Sequence, residues 1–389
     1  MRPQKKLTIV YFILYICQMK IADTTHALYI GAAQNMKDVS SESVNLIVTS
    51  PPYPMIEMWD AIFASQNNNI ADILNRQDPY QIYELMHQEL DKVWEECMRV
   101  LKPGGIACIN IGDATRTLYK NFALYPSHAR IIQKFLQLGF DNLPNIIWRK
   151  QTNAPNKFMG SGMLPGGAYV TLEHEWILIF RKDGKREFKT ELEKLNRQQS
   201  AYFWEERNVW FSDLWDLKGT KQKIKTAVNR ERSAAYPIEV PMRLINMYSV
   251  YGDTILDPFL GTGTTTQAAI ATGRNSIGYE IDESFKSLIY ENIFHPNINA
   301  LNKFIGDRLE SHKNFITNRK LDPTKSEVKH FNENLGMAVM TAQEKNIILN
   351  YVETVRQNRE NIEVKYSEEL PYSINMESKS NKTGQSHLF

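Results

Sequence analysis

The chain has 389 residues, 42% of them hydrophobic and 23% charged, the ordinary make-up of a globular protein long enough to bury a catalytic core plus an inserted or appended module. A net charge of +2 is too small to signal a nucleic-acid partner by itself. Three cysteines, Cys17, Cys97 and Cys108, have neither paired spacing nor neighbouring histidines, which argues against a zinc site and for a reducing cytoplasm.

The chain opens with a basic stretch, Met1 to Lys6, and an apolar run, Leu7 to Cys17, which together imitate a secretory signal. That run is about eleven residues, too short to span a bilayer, and no convincing small-residue cleavage site follows it. A second methionine, Met19, stands close to where a folded core would begin, so residues 1–18 read as an N-terminal extension upstream of a start at Met19, with a peripheral hydrophobic strand as the alternative.

A β-rich run, Val44 to Val48, leads into Thr49-Ser50-Pro51-Pro52-Tyr53. Two successive prolines fix φ, remove two backbone donors and bar helix, leaving a stiff loop with outward carbonyls. A hydroxyl, rigid acceptors and an aromatic ring within four residues suit the grip of a planar base that carries an amino group. The polar stretch at Asn67-Asn68-Asn69 reads as a loop over that site, followed by a helix over Ile82 to Val100 and a strand over Gly105 to Ile111. A further helix from Ser127 to Leu138 ends at Gly139. Strands Asn145 to Lys150 and Glu175 to Arg181 then flank a connection rich in glycine (Gly160, Gly162, Gly166, Gly167) and form a hairpin at the sheet edge.

Residues 183–232 lose clear periodicity and gain Phe203, Trp204, Trp210, Phe211 and Trp215, which suit a small module's own core better than base stacking. Between Leu217 and Arg232 lie Lys218, Lys221, Lys223, Lys225, Arg230 and Arg232 against a lone acid, Glu231. Such a run is either a solvated loop or a strip of phosphate contacts. Next, Gly252 to Asp257 forms a short strand that turns through Gly261 and Gly263 into a helix-prone segment, Gln267 to Ala271. Strand, glycine turn and helix start set backbone N–H groups and a positive helix end beside a ligand. A second strand, Asn275 to Asp282, places Glu280 where an α/β nucleoside site puts the carboxylate that accepts from ribose hydroxyls. Beyond Thr317 the chain is polar, with an amphipathic candidate at Met340 to Val355 and residues 375–389 of disordered composition.

The two loops, in this order, resemble those of the DNA amino-methyltransferases of the beta-ordered group. The likeness runs over roughly residues 28–295 and takes in Val100-Leu101-Lys102-Pro103-Gly104-Gly105, Glu173 to Phe180 and Ala235-Tyr236-Pro237. It implies an α/β fold: the Rossmann-like sheet of an S-adenosylmethionine-dependent methyltransferase with an inserted target-recognition region. On that frame residues 19–182 are the catalytic part, 183–232 the recognition region, 233–316 the cofactor part and 317–389 a C-terminal extension. The resemblance assigns the transfer site to Ser50, Pro51, Pro52 and Tyr53, with Tyr53 stacked on the base, and cofactor contacts to Tyr236, Pro237, Asp257, Phe259, Gly261, Gly263, Thr264 and Glu280. In this family Ser-Pro-Pro-Tyr usually accompanies transfer to cytosine N4, and an Asp or Asn form transfer to adenine N6. Tyr29-Ile30-Gly31 departs from the pattern, since Ala32-Ala33 follows where an acid is common; Asp307 imitates that acid but lies beyond the cofactor core.

The expected activity is site-specific methylation of cytosine N4 in duplex DNA by a cytoplasmic enzyme without a metal, paired with a restriction endonuclease. Adenine-N6 transfer is the alternative within the class, and a catalytically silent DNA-binding module the alternative outside it.

Overall fold

The apolar runs that precede the proline and glycine loops become neighbouring strands at the centre of one sheet. The computed structural model describes residues 21–74, 78–150, 159–219, 236–358 and 361–367. Its strands are β1 (Thr24–Ile30), β2 (Val44–Thr49), β3 (Leu101–Ile111), β4 (Ala114–Leu118), β5 (Asn121–Tyr125), β6 (Asp141–Arg149), β7 (Met159–Gly160), β8 (Ala168–Tyr169), β9 (His174–Arg181), β10 (Leu214–Asp216), β11 (Thr254–Asp257), β12 (Asn275–Glu280), β13 (His330–Asn332), β14 (Met337–Val339), β15 (Tyr351–Asn358) and β16 (Asn361–Ser367). The principal helices are α1 (Asp60–Gln66), α2 (Asn68–Ile73), α3 (Pro79–Val100), α4 (Ser127–Gln137), α5 (Glu191–Gln199), α6 (Trp204–Trp210), α7 (Glu239–Tyr248), α8 (Thr264–Ala271) and α9 (Ile298–Leu321).

The main sheet runs β10-β6-β9-β3-β2-β11-β12-β1-β16-β15. Strands β3, β2, β11, β12 and β1 are mutually parallel, and β9 is antiparallel to both β3 and β6. From β2 the chain crosses through α3 to β3 on one side, and from β11 it crosses through α8 to β12 on the other. The strand order therefore reverses between β2 and β11, and in open α/β sheets ligands bind outside the carboxyl ends of the strands at that point. Register pairs Leu46 with Ile255 and Ile47 with Leu256, so the Ser50 loop and the Gly261 loop emerge side by side.

Strand β2 is buried on both faces, as a central parallel strand must be. Ile47 packs into a core with Met86, Leu90, Trp94 and Cys97 of α3, and Leu46 and Val48 into a second core with α7 and α8. α3 starts on the Asp78 cap, which accepts from the Gln81 N–H at 3.0 Å, with Pro79 at its first position. α4 stops where Gly139 takes φ +93°, as its glycine predicted.

Several expectations are revised. The polar stretch after Tyr53 is not a loop but α1 and α2, with the Asn67 side chain accepting from the Asn69 N–H to start the second helix. The β6–β9 hairpin forms, but β10 pairs parallel to β6 and takes the edge. Part of the polar C-terminal stretch is structured: β15 and β16 extend the sheet past β1, with Ile362, Val364 and Tyr366 alternating into the core. The amphipathic candidate is a short turn, Ala342–Glu344, followed by β15. Of the recognition region's aromatics, Phe203, Trp210 and Trp215 are buried, and Trp204 and Phe211 are half-exposed. Phe203 stacks on His312 of α9 at 3.9 Å and packs in a third core with Ile305, Val339 and Tyr351, while Trp215 joins the second core, so these rings do not share a core of their own. Residues 1–18, with Cys17, and residues 375–389 lie outside the described residues.

Candidate active site

Between the two loops lies a cleft lined by Ser50, Pro51 and Pro52 of the first loop and by Asp257, Phe259, Gly261 and Thr264 of the second. Tyr236 and Glu280 complete the set of expected residues on its wall. Asp257 ties the loops together: its carboxylate accepts from Thr49 Oγ1 and from Thr265 Oγ1, both at 2.6 Å, and from the Phe259 N–H at 3.1 Å. Burial pushes its carboxyl up to about 6 against those three bonds. Tyr236 hydrogen-bonds Thr265 and so joins the same knot. Pro237 stands beyond the wall and caps the start of α7, its carbonyl accepting from the Val240 N–H at 3.0 Å.

The two glycines of the second loop differ. Gly261 has φ +54°, lines the cleft, and has nothing within 4 Å of where a Cβ would project. Its N–H donates to Glu280 Oε2 at 2.7 Å, and the Asp282 N–H donates to Glu280 Oε1 at 2.8 Å. Burial pushes the Glu280 carboxyl up to about 7. Gly263, at φ +88°, faces inward, where a Cβ would sit 2.5 Å from Ile293 Cδ1. The open space over Gly261, the N-terminus of α8 and the buried carboxylate of Glu280 together fit a nucleoside with a polar tail.

The transfer loop rests on a hydrogen-bond network that fixes its polarity. Glu175 Oε2 accepts from the Tyr53 hydroxyl at 2.9 Å and from Asn110 Nδ2 at 2.8 Å, and Glu175 Oε1 pairs with Lys150. A carboxylate accepts and does not donate, so the Tyr53 hydrogen points at Glu175 and the phenol oxygen is left as an acceptor. Burial and Glu175 hold the phenol protonated, well above the usual tyrosine range. Ser50 Oγ, 3.1 Å from that oxygen, must then be the donor, and its own lone pairs are left for other partners. Asn110 Nδ2 reaches the Tyr53 oxygen at 2.9 Å and lies 3.4 Å from Ser50 Oγ. The Tyr53 ring is 8% exposed, packed over Gly112, and is not on the cleft wall in this conformation.

Asn110 and Glu175 were missed as site residues, as were the cleft-lining Trp59, Phe63, Gln66 and Glu89. A signal existed for the first two: Asn110 stands at the carboxyl end of the apolar run of β3 and Glu175 at the amino end of that of β9, polar residues where burial without purpose is costly. Beside Ala32, where an acid is common in the family, the cleft has a polar corner. Buried Glu89 there accepts from Asn67 Nδ2 at 2.9 Å and Gln34 Nε2 at 3.2 Å. Asp307 is exposed on α9, paired with Lys303.

Of the basic strip, Lys218 is exposed just past the cleft-side end of β10, where Trp148 Nε1 donates to the Leu217 carbonyl at 2.9 Å. Lys221, Lys223, Lys225, Arg230 and Arg232 lie outside the described residues. Residues 183–211 sit at the opposite end of the strands from the cleft: Arg186 pairs with Asp253 just before β11, and Asn196 Nδ2 donates to the Tyr251 carbonyl. Among the described residues no helix is long and apolar enough to cross a membrane, and no cluster of histidine, cysteine and carboxylate groups could hold a metal. Cys97 and Cys108 are buried thiols, which burial pushes up from the usual range.

A permuted S-adenosylmethionine-type sheet with a Ser-Pro-Pro-Tyr loop beside its cofactor cleft is the architecture of an amino-methyltransferase, and the model of the N6/N4 DNA methylase family matches residues 44–291. The chain belongs to that family: it is an S-adenosylmethionine-dependent DNA methyltransferase, and DNA is its substrate. It is 51% identical over 340 residues to the type II methyltransferase M.MthZI of Methanothermobacter thermautotrophicus, covering 87% of this chain and 94% of the relative. With M.MjaI of Methanocaldococcus jannaschii the identity is 53% over 281 residues, covering 69% and 91%. The Thermus thermophilus protein TTHA0409, solved in complex with S-adenosyl-L-methionine, superposes with a TM-score of 0.53 at 32% identity, covering 69% and 94%. The cytosine-N4-specific PvuII methyltransferase shares the fold at 16% identity and a TM-score of 0.50, covering 72% and 90%.

Proposed function

We propose that the protein methylates the N4 amino group of a cytosine flipped out of duplex DNA, at a specific sequence, and protects host DNA in the cytoplasm alongside a restriction endonuclease. The serine at the head of the transfer loop supports cytosine over adenine, and the type II label of M.MthZI and M.MjaI supports the restriction-modification setting. The observation that carries the mechanism is the polarity of Ser50. Its hydrogen faces Tyr53, so its lone pairs are available to an incoming N–H.

S-adenosylmethionine supplies, when bound, an electrophilic methyl group on a positive sulfur. Phe259, Gly261 and Thr264, with Tyr236-Pro237 and Asp257 behind them, would hold its methionine part, Gly263 would shape the turn from its inner side, and Glu280 would hold the ribose. The Gln34–Glu89 corner would meet its adenine edge where Ala32 offers no acid. Ser50 Oγ accepts one N–H of the target amine and the Pro51 carbonyl the other, which turns the nitrogen lone pair toward the methyl group. The nitrogen would take the methyl group that the bound donor supplies, and the proton the amine must lose has a route through this chain's own residues: Ser50 Oγ accepts it as Ser50 passes its own hydrogen to Tyr53 and Tyr53 its own to the Glu175 carboxylate. Asn110, bonded to both Tyr53 and Glu175, holds that relay in line. The amine reaches this loop only outside the base stack, hence the flipped base. Residues 217–219 and 159–173, at the cleft end of the sheet, are the better recognition candidates among the described residues, and residues 183–213 a brace behind them.

Single-turnover transfer by Ser50→Ala tests the role. The rate should fall about ten- to a thousandfold, the span for one well-placed hydrogen bond at a reacting centre. DNA affinity, which rests on phosphate contacts elsewhere, should hold. An unchanged rate removes Ser50 from the mechanism.

A further inference from the structure

The β7–β8 ribbon ends in a tip whose apolar side chains nothing else in the described structure covers. Met163 is 86% exposed, Leu164 70% and Val170 84%. The tip is closed by its own hydrogen bonds. The Ser161 N–H donates to the Gly167 carbonyl at 2.9 Å, the Leu164 N–H to the Ser161 carbonyl at 3.2 Å, and Ser161 Oγ to the Leu164 carbonyl at 2.6 Å. Gly160, at φ +66°, has the Gly167 carbonyl oxygen 2.1 Å from where a Cβ would sit, so only glycine closes this turn. Below the tip the Tyr169 ring stacks on Phe122 of β5 at 4.4 Å and 14°, bracing the ribbon against the β4–β5 hairpin.

The ribbon stands on the strands that support the transfer loop. At its base the Lys150 N–H donates to the Glu173 carbonyl, and the Lys150 side chain pairs with Glu175, which receives the Tyr53 hydroxyl. The base of the ribbon is thus on the cleft side of the sheet, joined to Ser50 through Glu175 and Tyr53, and the apolar tip projects from that side. Contiguous exposed apolar groups mark a surface that a partner covers, and the substrate on this side of the molecule is DNA. Proteins that open base steps do so with apolar side chains of this kind.

The geometry points to Met163 and Leu164 as an apolar wedge that enters the base stack of duplex DNA where the target base leaves it. This rests on the flipped-base reading above. The wedge fills the gap between the neighbouring base pairs and holds the target base outside.

The test uses the full chain and duplexes carrying a site that the protein methylates, either matched or with an abasic position opposite the target. Such a duplex has already lost the pairing that the wedge helps to break. Met163→Ser with Leu164→Ser should lower the transfer rate on the matched duplex about tenfold or more and stay within about twofold of the unmodified protein on the abasic one. Both side chains are largely solvent-exposed, so the variant should fold, and circular dichroism verifies it. Equal loss on both duplexes, or no loss on either, overturns the wedge; so does loss of self-association on a sizing column with the matched rate intact, which would assign the tip to a second copy of the chain. The flipped-base reading has its own readout: 2-aminopurine at the target position should brighten when the unmodified protein binds. No brightening, together with no preference for the abasic duplex, removes base flipping and the wedge with it, whereas brightening without rescue removes the wedge alone.

Discussion

Gly261 and Gly263 are two residues apart, both left-handed, and should fail in different ways. At Gly261 a side chain enters open space over the cleft, with nothing within 4 Å of its Cβ. Gly261→Val therefore costs the fold chiefly the left-handed backbone, about 1–2 kcal/mol. Its two methyl groups stand in the cofactor's space, and overpacking of about 1–3 kcal/mol there weakens binding roughly five- to 150-fold. At Gly263 the Cβ meets Ile293 Cδ1 at 2.5 Å, and Ile293 is buried. Gly263→Ala adds a similar packing penalty to the same backbone cost, so it should lose about 2–5 kcal/mol of stability. Urea unfolding of the ligand-free variants and calorimetric titration with S-adenosylmethionine separate the two. Unchanged cofactor affinity in a folded Gly261→Val protein would refute the assignment of the loop.

Glu280 gives a pH test. Burial raises its carboxyl to about 7, and only the carboxylate accepts from ribose hydroxyls, so affinity should be lost as pH falls through that value. About nine-tenths of the group is ionised at pH 8 and one-tenth at pH 6, which predicts about a tenfold weaker Kd at pH 6; a step of equal size in Glu280→Gln would show that another group titrates. Replacing Lys221, Lys223 and Lys225 by Gln should weaken binding to all DNA sequences and flatten the log–log salt slope by up to about three, roughly 0.9 per lost phosphate contact. An unaltered slope would make the strip an ordinary solvated surface.

The sequence carried the site further than the shape around it. Val44 to Val48 and Thr254 to Asp257 are short, apolar and followed by a proline loop and a glycine turn, so their identity as strands was legible from pattern and the shared site of their loops from resemblance, whereas their adjacency in the sheet is given by the register of Leu46 and Ile47 with Ile255 and Leu256. The helices over the cleft were not, because Asn67-Asn68-Asn69 has loop composition and becomes helical through the Asn67 cap and the burial of Phe63 and Ile70. β16 was hidden for a related reason: Ile362, Val364 and Tyr366 alternate with charged residues, a half-buried strand pattern that a polar average conceals. Glu175 and Asn110 escaped because a network of tertiary contacts, more than 50 residues apart in sequence, gives them their role.

The central claim is the chemistry of the acceptor nitrogen. Duplex DNA incubated with the purified protein and S-adenosylmethionine, digested to nucleosides and separated by mass spectrometry, should contain N4-methylcytosine and no N6-methyladenine. N6-methyladenine alone would contradict the reading of Ser50 as a cytosine-directed acceptor while leaving the fold and the cofactor cleft as described.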